Sequence, residues 1–381
     1  MRYIVGSPPS MPKNQKALPA EEIEAIRKWI AEGAKNDTPI IKDPIDSEHP
    51  PIYKKAPAIP AIAYSKDGSL LAIPGYREIF LFKSDGSGLI ARLVGKSSRI
   101  ESLSFSPDGT TLAAVGGSPA LFGEVQLWDI ATKSMKSSAT FGYDSLFGVS
   151  YSPDGKMIAC GSADNAVRII STADLKLLLK FDNHSDWTFA TTWATDNKHI
   201  LSTGRDQAVK LIVAATGQFV DDINTHTSGF RTMVRNPMKD EVLVAGDDST
   251  PRIYQVFRTK PRTMNQEDHN LIRQFDKQPG QVNGAAFSPD GSKIAFAGEG
   301  GEMRIYETAS GKKLASVNGL QGVMFALSFR PDGKQLAVGG LDGMVRIYSV
   351  DGGALVTIFT PAPITPSKNA PSLVLSNKSG K

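Results

Sequence analysis

Short segments in which apolar and polar residues alternate recur along most of the chain. The stretch 100–105 reads Ile-Glu-Ser-Leu-Ser-Phe, a small apolar stretch follows at 112–115, and further alternating stretches lie at 125–128 and 176–181. Alternation with a period of two is typical of a β-strand that buries one face. Short strands at this spacing, separated by turn residues, predict small antiparallel sheets.

A turn phrase separates the first two strands of each group. It reads Ser-Pro-Asp-Gly from 106, 152 and 288, with close variants from 65 and 330 and weaker copies from 194 and 236. Pro presets φ for a turn, Asp bonds its own backbone, and Gly accepts positive φ. The phrases begin 41, 46, 42, 42, 52 and 42 residues apart. A period of about 40–45 residues indicates four-stranded propeller blades, and seven phrases predict seven blades.

The pattern over residues 58–360 resembles the WD-repeat family. The terminal Trp-Asp pair of that family occurs as Trp128-Asp129. Its turn Asp matches Asp164, Asp206, Asp248 and Asp342, and its His before the first strand matches His184 and His226. No group carries the whole His–Ser–Asp–Trp network, so the repeats are degenerate. Buried polar groups in such repeats normally serve hydrogen bonds, and we expect all eight residues to hold loops onto strands.

The predicted fold class is therefore all-β: a seven-bladed WD-repeat β-propeller with a short N-terminal helix and a Pro-rich linker. Closing the ring requires blade 1 to pack on blade 7. The fourth strand of the last blade is either its own segment at 354–359 or the segment near Ile52 and Tyr53. The sequence leaves these two closures open.

Two groups carry insertions, which lie on opposite faces of the predicted propeller. Residues 118–123 extend the second group on the top face, where Leu121 and Phe122 either form an exposed contact site or fold back and are buried. Residues 256–280 extend the fifth group on the other face. The binding candidates there are Arg258, Lys260, Arg262 and His269. A functional loop and a solvated charged loop are the two interpretations of this segment.

A helix is predicted over about 19–33, ahead of the repeats. Pro19 opens it and Gly33 closes it, while Ile23, Ile26 and Ile30 form one apolar face. Six prolines between residues 39 and 60 favour a semi-rigid linker over 38–57. The segment 361–381, rich in Pro, Ser, Asn and Lys, is predicted to be a disordered tail.

Residues 2–37 are similar to the end of the planctomycetal cytochrome c domain. In that family an upstream Cys-x-x-Cys-His motif attaches the haem, and a Met in a Pro-rich loop is the second axial ligand, a position that Met11 matches. This chain has no such motif, and its one cysteine, Cys160, lies in a predicted propeller strand. We therefore expect no cofactor in this chain and haem c only in a longer parent protein, with 1–37 as the remnant of the domain or as a decayed module.

Charge and motifs narrow the function classes. The 43 basic and 39 acidic residues give a net charge of +4 without a basic cluster, which disfavours nucleic acid as a partner. The apolar runs are too short for a membrane span. The five histidines form no metal-spaced pair, and no P-loop, Gly-x-Ser-x-Gly or dinucleotide motif is present. These features predict neither an enzyme nor a metal site.

The function predicted from the sequence is a non-catalytic, monomeric protein-interaction scaffold. The alternative is a truncated member of a bacterial cytochrome c–propeller fusion that takes part in haem-based electron transfer. A third hypothesis, a hydrolase or lyase with a metal in the central channel, relies on His184 and His226, which the structural role explains better. We expect the cell envelope or periplasm as the location of an exported parent, and the cytoplasm for the chain as given, which shows no signal peptide.

Overall fold

The computed structural model describes residues 18–33, 43–224, 228–260 and 270–365. The chain forms two compact units, Met1–Pro44 and Ile45–Lys381. The described part of the first unit holds helix α1 (Ala20–Ala31), which begins directly after Pro19. Gly33 lies just beyond its end with a φ of 90°, a conformation that glycine accepts without strain. The helix predicted over 19–33 is therefore present, and it is shorter by one residue at its start and two at its end.

The second unit contains seven four-stranded antiparallel sheets, blades 1 to 7, each made of consecutive strands. Blade 1 consists of β1 (Ala63–Tyr64), β2 (Leu70–Pro74), β3 (Glu78–Lys83) and β4 (Leu89–Val94); blade 2 of β5 (Arg99–Phe105), β6 (Thr111–Ser118), β7 (Phe122–Asp129) and β8 (Ser134–Thr140); blade 3 of β9 (Leu146–Tyr151), β10 (Met157–Ser162), β11 (Val167–Ser171) and β12 (Leu177–Phe181).

The remaining four blades follow the same order. Blade 4 consists of β13 (Thr188–Trp193), β14 (His199–Gly204), β15 (Val209–Val213) and β16 (Phe219–Asp222); blade 5 of β17 (Phe230–Arg235), β18 (Glu241–Gly246), β19 (Arg252–Gln255) and β20 (Leu271–Gln274); blade 6 of β21 (Val282–Phe287), β22 (Lys293–Gly298), β23 (Glu302–Glu307) and β24 (Lys313–Asn318); blade 7 of β25 (Met324–Phe329), β26 (Gln335–Gly340), β27 (Val345–Ser349) and β28 (Leu355–Phe359). The predicted seven-bladed propeller is confirmed.

The blades form a closed ring. The first strand of each blade contacts the first strand of the next, and β1 contacts β25 of the last blade. Blade 7 uses its own β28 as its fourth strand. Tyr53 makes a single parallel bridge to Ile364 outside the sheets. Of the two closures that the sequence left open, the structure has the one in which every blade supplies all four of its strands.

Residues 51–62, here called the clasp, cover the junction between blades 1 and 7. Tyr53, Ile59 and Ile62 belong to one buried cluster with side chains from both blades. The Ile59 N–H donates to the Gly340 carbonyl of blade 7 at 2.9 Å, and the Thr365 N–H donates to the Tyr53 carbonyl at 3.0 Å. Residues on both sides of the propeller sequence therefore hold the first and last blades together.

A buried polar network anchors the clasp to blade 1. The Tyr53 hydroxyl donates to Glu78 Oε1 at 2.7 Å and accepts from the Tyr76 N–H at 3.0 Å. Arg92 donates to both oxygens of the Glu78 carboxylate at 2.6 Å and to the Pro51 carbonyl at 2.6 Å. Glu78 is completely buried, and a buried carboxylate is tolerated because its oxygens are hydrogen-bonded and its charge is paired.

The turn phrases form the bottom face, at the ends of the first strands. In blade 6 the Ser288 hydroxyl donates to Asp290 Oδ1 at 2.6 Å and accepts from the Lys293 N–H at 2.8 Å. Asp290 also accepts from the N–H and hydroxyl of Ser292, and Gly291 has a φ of 69°. Blades 1, 2 and 3 repeat the two bonds of the serine hydroxyl.

Neighbouring turns also contact one another. A Cβ at Gly68 would lie 3.5 Å from Pro331 of blade 7, and one at Gly155 would lie 3.4 Å from Pro107 of blade 2. Between blades 4 and 5 a polar contact takes this place, because the Thr195 N–H donates to Asp240 Oδ1 at 2.9 Å. The proline of the turn phrase therefore has a second role, as a packing surface for the glycine of the next blade.

Replacing Tyr53 with Phe tests the clasp. The variant keeps the packing and loses both hydrogen bonds, so we expect it to cost about 1–3 kcal/mol of unfolding free energy. Amide hydrogen exchange will accelerate in blades 1 and 7 more than in blades 3 to 5. Tyr143→Phe, at a side chain that is 87% exposed, is the matched control and will change neither measurement. Equal acceleration in all blades would contradict the clasp role.

The turn aspartates predict a specific pH dependence. Hydrogen bonds from Ser288 and then Ser292 lower the pKa of Asp290 to about 2, below the value of about 3.9 for an unfolded chain. A lowered folded-state pKa stabilises the fold above about pH 4 and ceases to do so as the pH falls towards 2. Asp290→Asn will therefore melt about 1–3 °C below the parent at pH 7, and the gap will narrow between pH 4 and 2. Asp351→Asn, at an exposed position, serves as control.

Candidate interaction surface on the top face

His184, Ser202 and Asp206 form a buried hydrogen-bonded network in blade 4. His184 Nδ1 lies 2.8 Å from Asp206 Oδ2, and His184 Nε2 lies 2.8 Å from the Ser202 hydroxyl. The side chains of His184 and Asp206 are 0% and 5% exposed. Burial is the largest influence on the pKa of Asp206 and raises it. The hydrogen bond and electrostatic attraction of His184, together with hydrogen bonds from the Ser185 and Ala208 N–H groups, outweigh it, so the net pKa is lowered. This network holds the loop before β13, which carries His184, to Ser202 of β14 and to Asp206 in the turn after β14.

Three of the turn aspartates are paired with an arginine four residues later. Arg168 bonds both carboxylate oxygens of Asp164; Arg252 donates to Asp248 at 2.7 Å; and Arg346 donates to Asp342 at 2.5 Å. In blades 3, 5 and 7 an arginine on the third strand thus bonds the turn Asp that the histidine bonds in blade 4. The Asp-x-x-x-Arg spacing is visible in the sequence, although it did not enter the prediction.

The Trp-Asp pair in blade 2 is likewise built into the blade. Trp128 is buried and its Nε1 donates to Gln126 Oε1 at 3.1 Å. Asp129 accepts from the N–H and hydroxyl of Thr132. His226, the remaining predicted blade residue, lies outside the described residues.

The blade 2 insertion lengthens a hairpin. Expected at a loop tip, Phe122 instead begins β7, where it pairs with Ser118 and is half-buried. The tip is a tight turn in which Ala120 has a φ of 58°, and Leu121 there is 69% exposed. The extra residues continue the pairing of β6 and β7 through Gly117–Gly123 and Ser118–Phe122.

The blade 5 insertion is shorter than the predicted 256–280. The outer strand β20 (Leu271–Gln274) lies inside that range, and its alternating half-buried and exposed residues gave only a weak apolar signal. Arg258 donates to Asp221 Oδ2 of blade 4 at 2.7 Å, so its guanidinium holds the loop to the neighbouring blade. Lys260 is exposed. Arg262 and His269 lie outside the described residues.

A depression of about 710 Å³ lies on the top face, at the face where the first strands begin. Its lining includes Gly75 and Tyr76 of blade 1. It also includes a set of seven residues at equivalent repeat positions, one from the clasp and one from each of blades 2 to 7: Pro60, Glu101, Phe147, Phe189, Arg231, Asn283 and Phe325. Because a single cavity contacts all seven blades of a closed ring, it lies on the ring axis. In five blades this residue falls at a register shift of the first strand, and such a bulge re-aims a side chain.

Aromatic side chains cover one side of this axial depression. The ring centroids of Phe147 and Trp187 are 6.1 Å apart with nearly parallel planes. Phe189 meets both rings edge-on, at 5.7 and 6.2 Å. The Arg231 guanidinium lies 5.5 Å from the Phe189 centroid, in the geometry of a cation–π contact. Trp187 is 42% exposed, so an aromatic surface faces the opening.

The charged groups of the depression are paired with each other or with the backbone. Arg99 Nε lies 2.9 Å from Glu101 Oε1, and Arg231 Nε lies 2.7 Å from Asp247 Oδ1. Burial raises the pKa of Glu101, and the charge of Arg99 opposes this rise only in part. Asp144 accepts from the Ser145 N–H at 2.7 Å. Glu101 and Asp144 therefore each have a partner, an arginine in the first case and a backbone N–H in the second.

The repeat locates this ring of seven positions, although no recurring residue type marks it in the sequence. Each lining residue lies five positions before the start of a turn phrase: residue 60 precedes 65, residue 101 precedes 106, and residue 325 precedes 330. Counting back from the phrase would have found all seven positions. Their residue types differ from blade to blade, whereas the turn residues repeat.

Comparison with known proteins agrees with this architecture. Residues 87–118, 135–171 and 311–349 match the WD domain, G-beta repeat. Each match begins near the outer strand of one blade and continues into the next. These matches and the seven sheets agree in indicating a propeller that contains WD-type repeats. No helix in the described part of the chain is long and apolar enough to cross a membrane.

Three relatives illustrate the similarity. The chain is 28% identical to WD repeat-containing protein 1-A of Xenopus laevis over 44% of its own length and 27% of the relative. It is 21% identical to a guanine nucleotide-binding protein subunit beta of Oryza sativa subsp. japonica over 58% of its length and 59% of the relative. It is 28% identical to actin-interacting protein 1 of Drosophila melanogaster over 42% and 26%. The chain thus spans between about a quarter and three fifths of these relatives. None of these comparisons supports a cytochrome domain in the N-terminal piece.

Replacing His184 with Ala tests the structural role of the hydrogen-bonded network in blade 4. The variant leaves Ser202 and Asp206 buried without their shared partner, which we expect to lower the unfolding free energy by about 1–3 kcal/mol. Chemical denaturation measures this change. His49→Ala, at a side chain that is 67% exposed, is the control and will leave the stability unchanged. An unaltered denaturation midpoint for His184→Ala would contradict the assignment.

Proposed function

We propose that this protein is a non-catalytic scaffold that binds partner proteins through the axial depression. The observation that carries the proposal is the lining of the depression, in which residues from all seven blades bring an aromatic cluster and two arginines to one opening. Trp, Tyr and Arg are the residues that most often dominate binding energy at protein interfaces. Trp187, Tyr76, Arg99 and Arg231 all line the depression.

The rigidity of the support strengthens the proposal. Each lining residue sits at the start of a strand or beside one, and the strands belong to sheets that pack in a closed cycle. A preorganised surface loses little conformational entropy when it binds, so more of the contact energy is available as affinity. A rigid propeller that presents a different residue in each repeat is suited to binding other proteins.

The absence of a catalytic role is part of the proposal. Within residues 18–33, 43–224, 228–260 and 270–365, no three His, Cys, Asp or Glu side chains gather as a metal site would require. The buried thiol of Cys160 has its pKa raised to about 12 by desolvation, and a protonated thiol is a poor nucleophile. The hypothesis of a metal-dependent hydrolase or lyase therefore has no support in the described residues.

The names of two relatives point in the same direction. One is a subunit of a guanine nucleotide-binding protein, and another is described as actin-interacting. Both names describe assembly with other proteins. We extend to this chain only that general property, since the matched parts are 21% and 28% identical and cover part of each relative.

The electron-transfer alternative stays a prediction from the sequence. Met11 lies outside the described residues, and helix α1 has no buried residue that would define a haem-facing side. The location in the cell and the monomeric state are likewise predictions. Absorption spectra of the protein expressed with haem supplied test the alternative, since bound haem gives a Soret band.

Site-specific photo-cross-linking in cells of the source organism tests the proposed function. We expect a benzophenone side chain at position 143, beside the depression, to capture partner proteins. The same group at Met238, a 66% exposed residue in a bottom-face turn, will capture far less. Adding Trp187→Ala to the position 143 variant will reduce the cross-links. Capture at 238 with none at 143 would refute binding on the top face.

A further inference from the structure

The outer strand of blade 7 differs from the other six outer strands because it has no charged residue. This strand, β28, reads Leu-Val-Thr-Ile-Phe. Each of the others holds at least one charged side chain: Arg92 in β4, Lys136 in β8, Lys180 in β12, Asp221 and Asp222 in β16, Arg273 in β20 and Lys313 in β24. An outer strand is a sheet edge with unpaired backbone groups, and charged residues on such an edge prevent it from pairing with other chains. The edge of blade 7 lacks this protection.

The apolar side chains of β28 are also exposed. Leu355 and Val356 are each 53% exposed, and Ile358 is 45% exposed. In the part of the chain that the structure describes, no other outer strand exposes more than two large apolar side chains. Valine, isoleucine and threonine favour strand pairing because they fit a pleated surface. β28 therefore combines a free backbone edge with apolar surface that further pairing would bury.

The chain turns away from this edge directly after β28. Pro361 is buried, Ala362 belongs to the buried cluster of the clasp, and the Thr365 N–H donates to the Tyr53 carbonyl at 3.0 Å. Among the described residues β28 pairs with β27 and with no other strand. The outward side of β28 is therefore open to one more strand.

The sequence of β28 is complementary to itself. When two copies run antiparallel about Thr357, Val356 of one copy lies opposite Ile358 of the partner subunit, and this pair occurs twice because the contact has two-fold symmetry. Cross-strand pairs of this kind stabilise a sheet. The same pairing of any other outer strand would bring like charges into one short interface, where they repel each other. Of the seven outer strands, β28 is thus the one suited to a second copy of the chain.

We propose that β28 is a self-association edge. A second copy of this chain adds its own β28 in the antiparallel direction, and the two blade 7 sheets become one continuous sheet. This inference is independent of the proposed function, because the edge lies on the outer rim and the depression lies on the top face. It differs from the monomeric state that the sequence predicts. A contact of five residues is small beside the interfaces of about 1,200–2,000 Å² in stable complexes, so we expect a reversible dimer with a Kd of about 1–100 µM.

Sedimentation velocity of the full chain between about 1 and 200 µM tests the proposal, since a dimer forms by mass action. We expect the parent to shift from monomer to dimer over this range. Val356→Lys places a charge on the edge and removes both cross-subunit pairs, so it will weaken self-association at least about tenfold. Leu178→Lys, at a 54% exposed position of β12, is the matched control and will stay within about twofold of the parent. An unchanged melting temperature will show that both variants are folded.

Amide hydrogen exchange locates the contact. In the parent, amides of residues 355–359 will exchange more slowly at about 200 µM than at about 1 µM, because pairing protects them. This difference will disappear in Val356→Lys and persist when residues 366–381 are removed. A monomer at every concentration would overturn the proposal, as would a dimer in which β28 gains no protection or which both lysine variants weaken equally. Protection that does not depend on concentration and is lost with residues 366–381 would instead assign the edge to the C-terminal segment of the same chain.

Discussion

The packing of blade 1 against blade 7 is the contact on which the rest of the structure depends. A four-stranded sheet alone has two exposed edges and two faces, and each blade buries its faces against its neighbours. The cycle closes because β1 contacts β25 and because the clasp lies across both blades. Tyr53, Glu78 and Arg92 hold the clasp through charge-assisted hydrogen bonds in a buried position, where losing one partner leaves a desolvated charge. The geometry at the axis follows from this closure, since seven first strands meet at one opening only when the ring is complete.

The two faces of the ring use the repeat in different ways. On the bottom face the residue types recur because the turn needs them: a hydroxyl that bonds the second strand, a carboxylate that accepts backbone N–H groups, and a glycine with positive φ that lies against the next turn. On the top face the residue five positions before each turn is mostly a bulge residue, and the pairing of the sheet makes no demand on its side chain. That position can therefore differ between blades without loss of the fold. Because the repeated frame leaves one position per repeat unconstrained, the top face can carry seven side chains that vary independently.

The number of blades and most of their strands could be predicted from the sequence, because the turn residues and the apolar–polar alternation both recur once in each four-stranded blade. The sequence left the closure open, since the long-range contacts of Tyr53 leave no mark in local periodicity. It missed β20 (Leu271–Gln274), an outer strand with little burial and therefore little apolar signal. Phe122 was predicted in a loop, but the inserted residues lengthen the hairpin and Phe122 pairs with Ser118. The axial ring is not apparent in the sequence, although its spacing is regular, because its positions recur in each repeat while their residue types differ.

Arginine–carboxylate pairs recur through the frame of this chain of net charge +4. Arg92 is taken up by Glu78 in the clasp, and Arg168, Arg252 and Arg346 are taken up by the turn aspartates. Arg99 and Arg231, the two at the opening, face Glu101 and Asp247. Each of these guanidinium groups thus helps to order the frame. The exposed aromatic rings at the axis add apolar surface, whose burial acts at contact distance. A closed frame that leaves aromatic rings exposed at its axis presents a rigid surface on which a partner can be held.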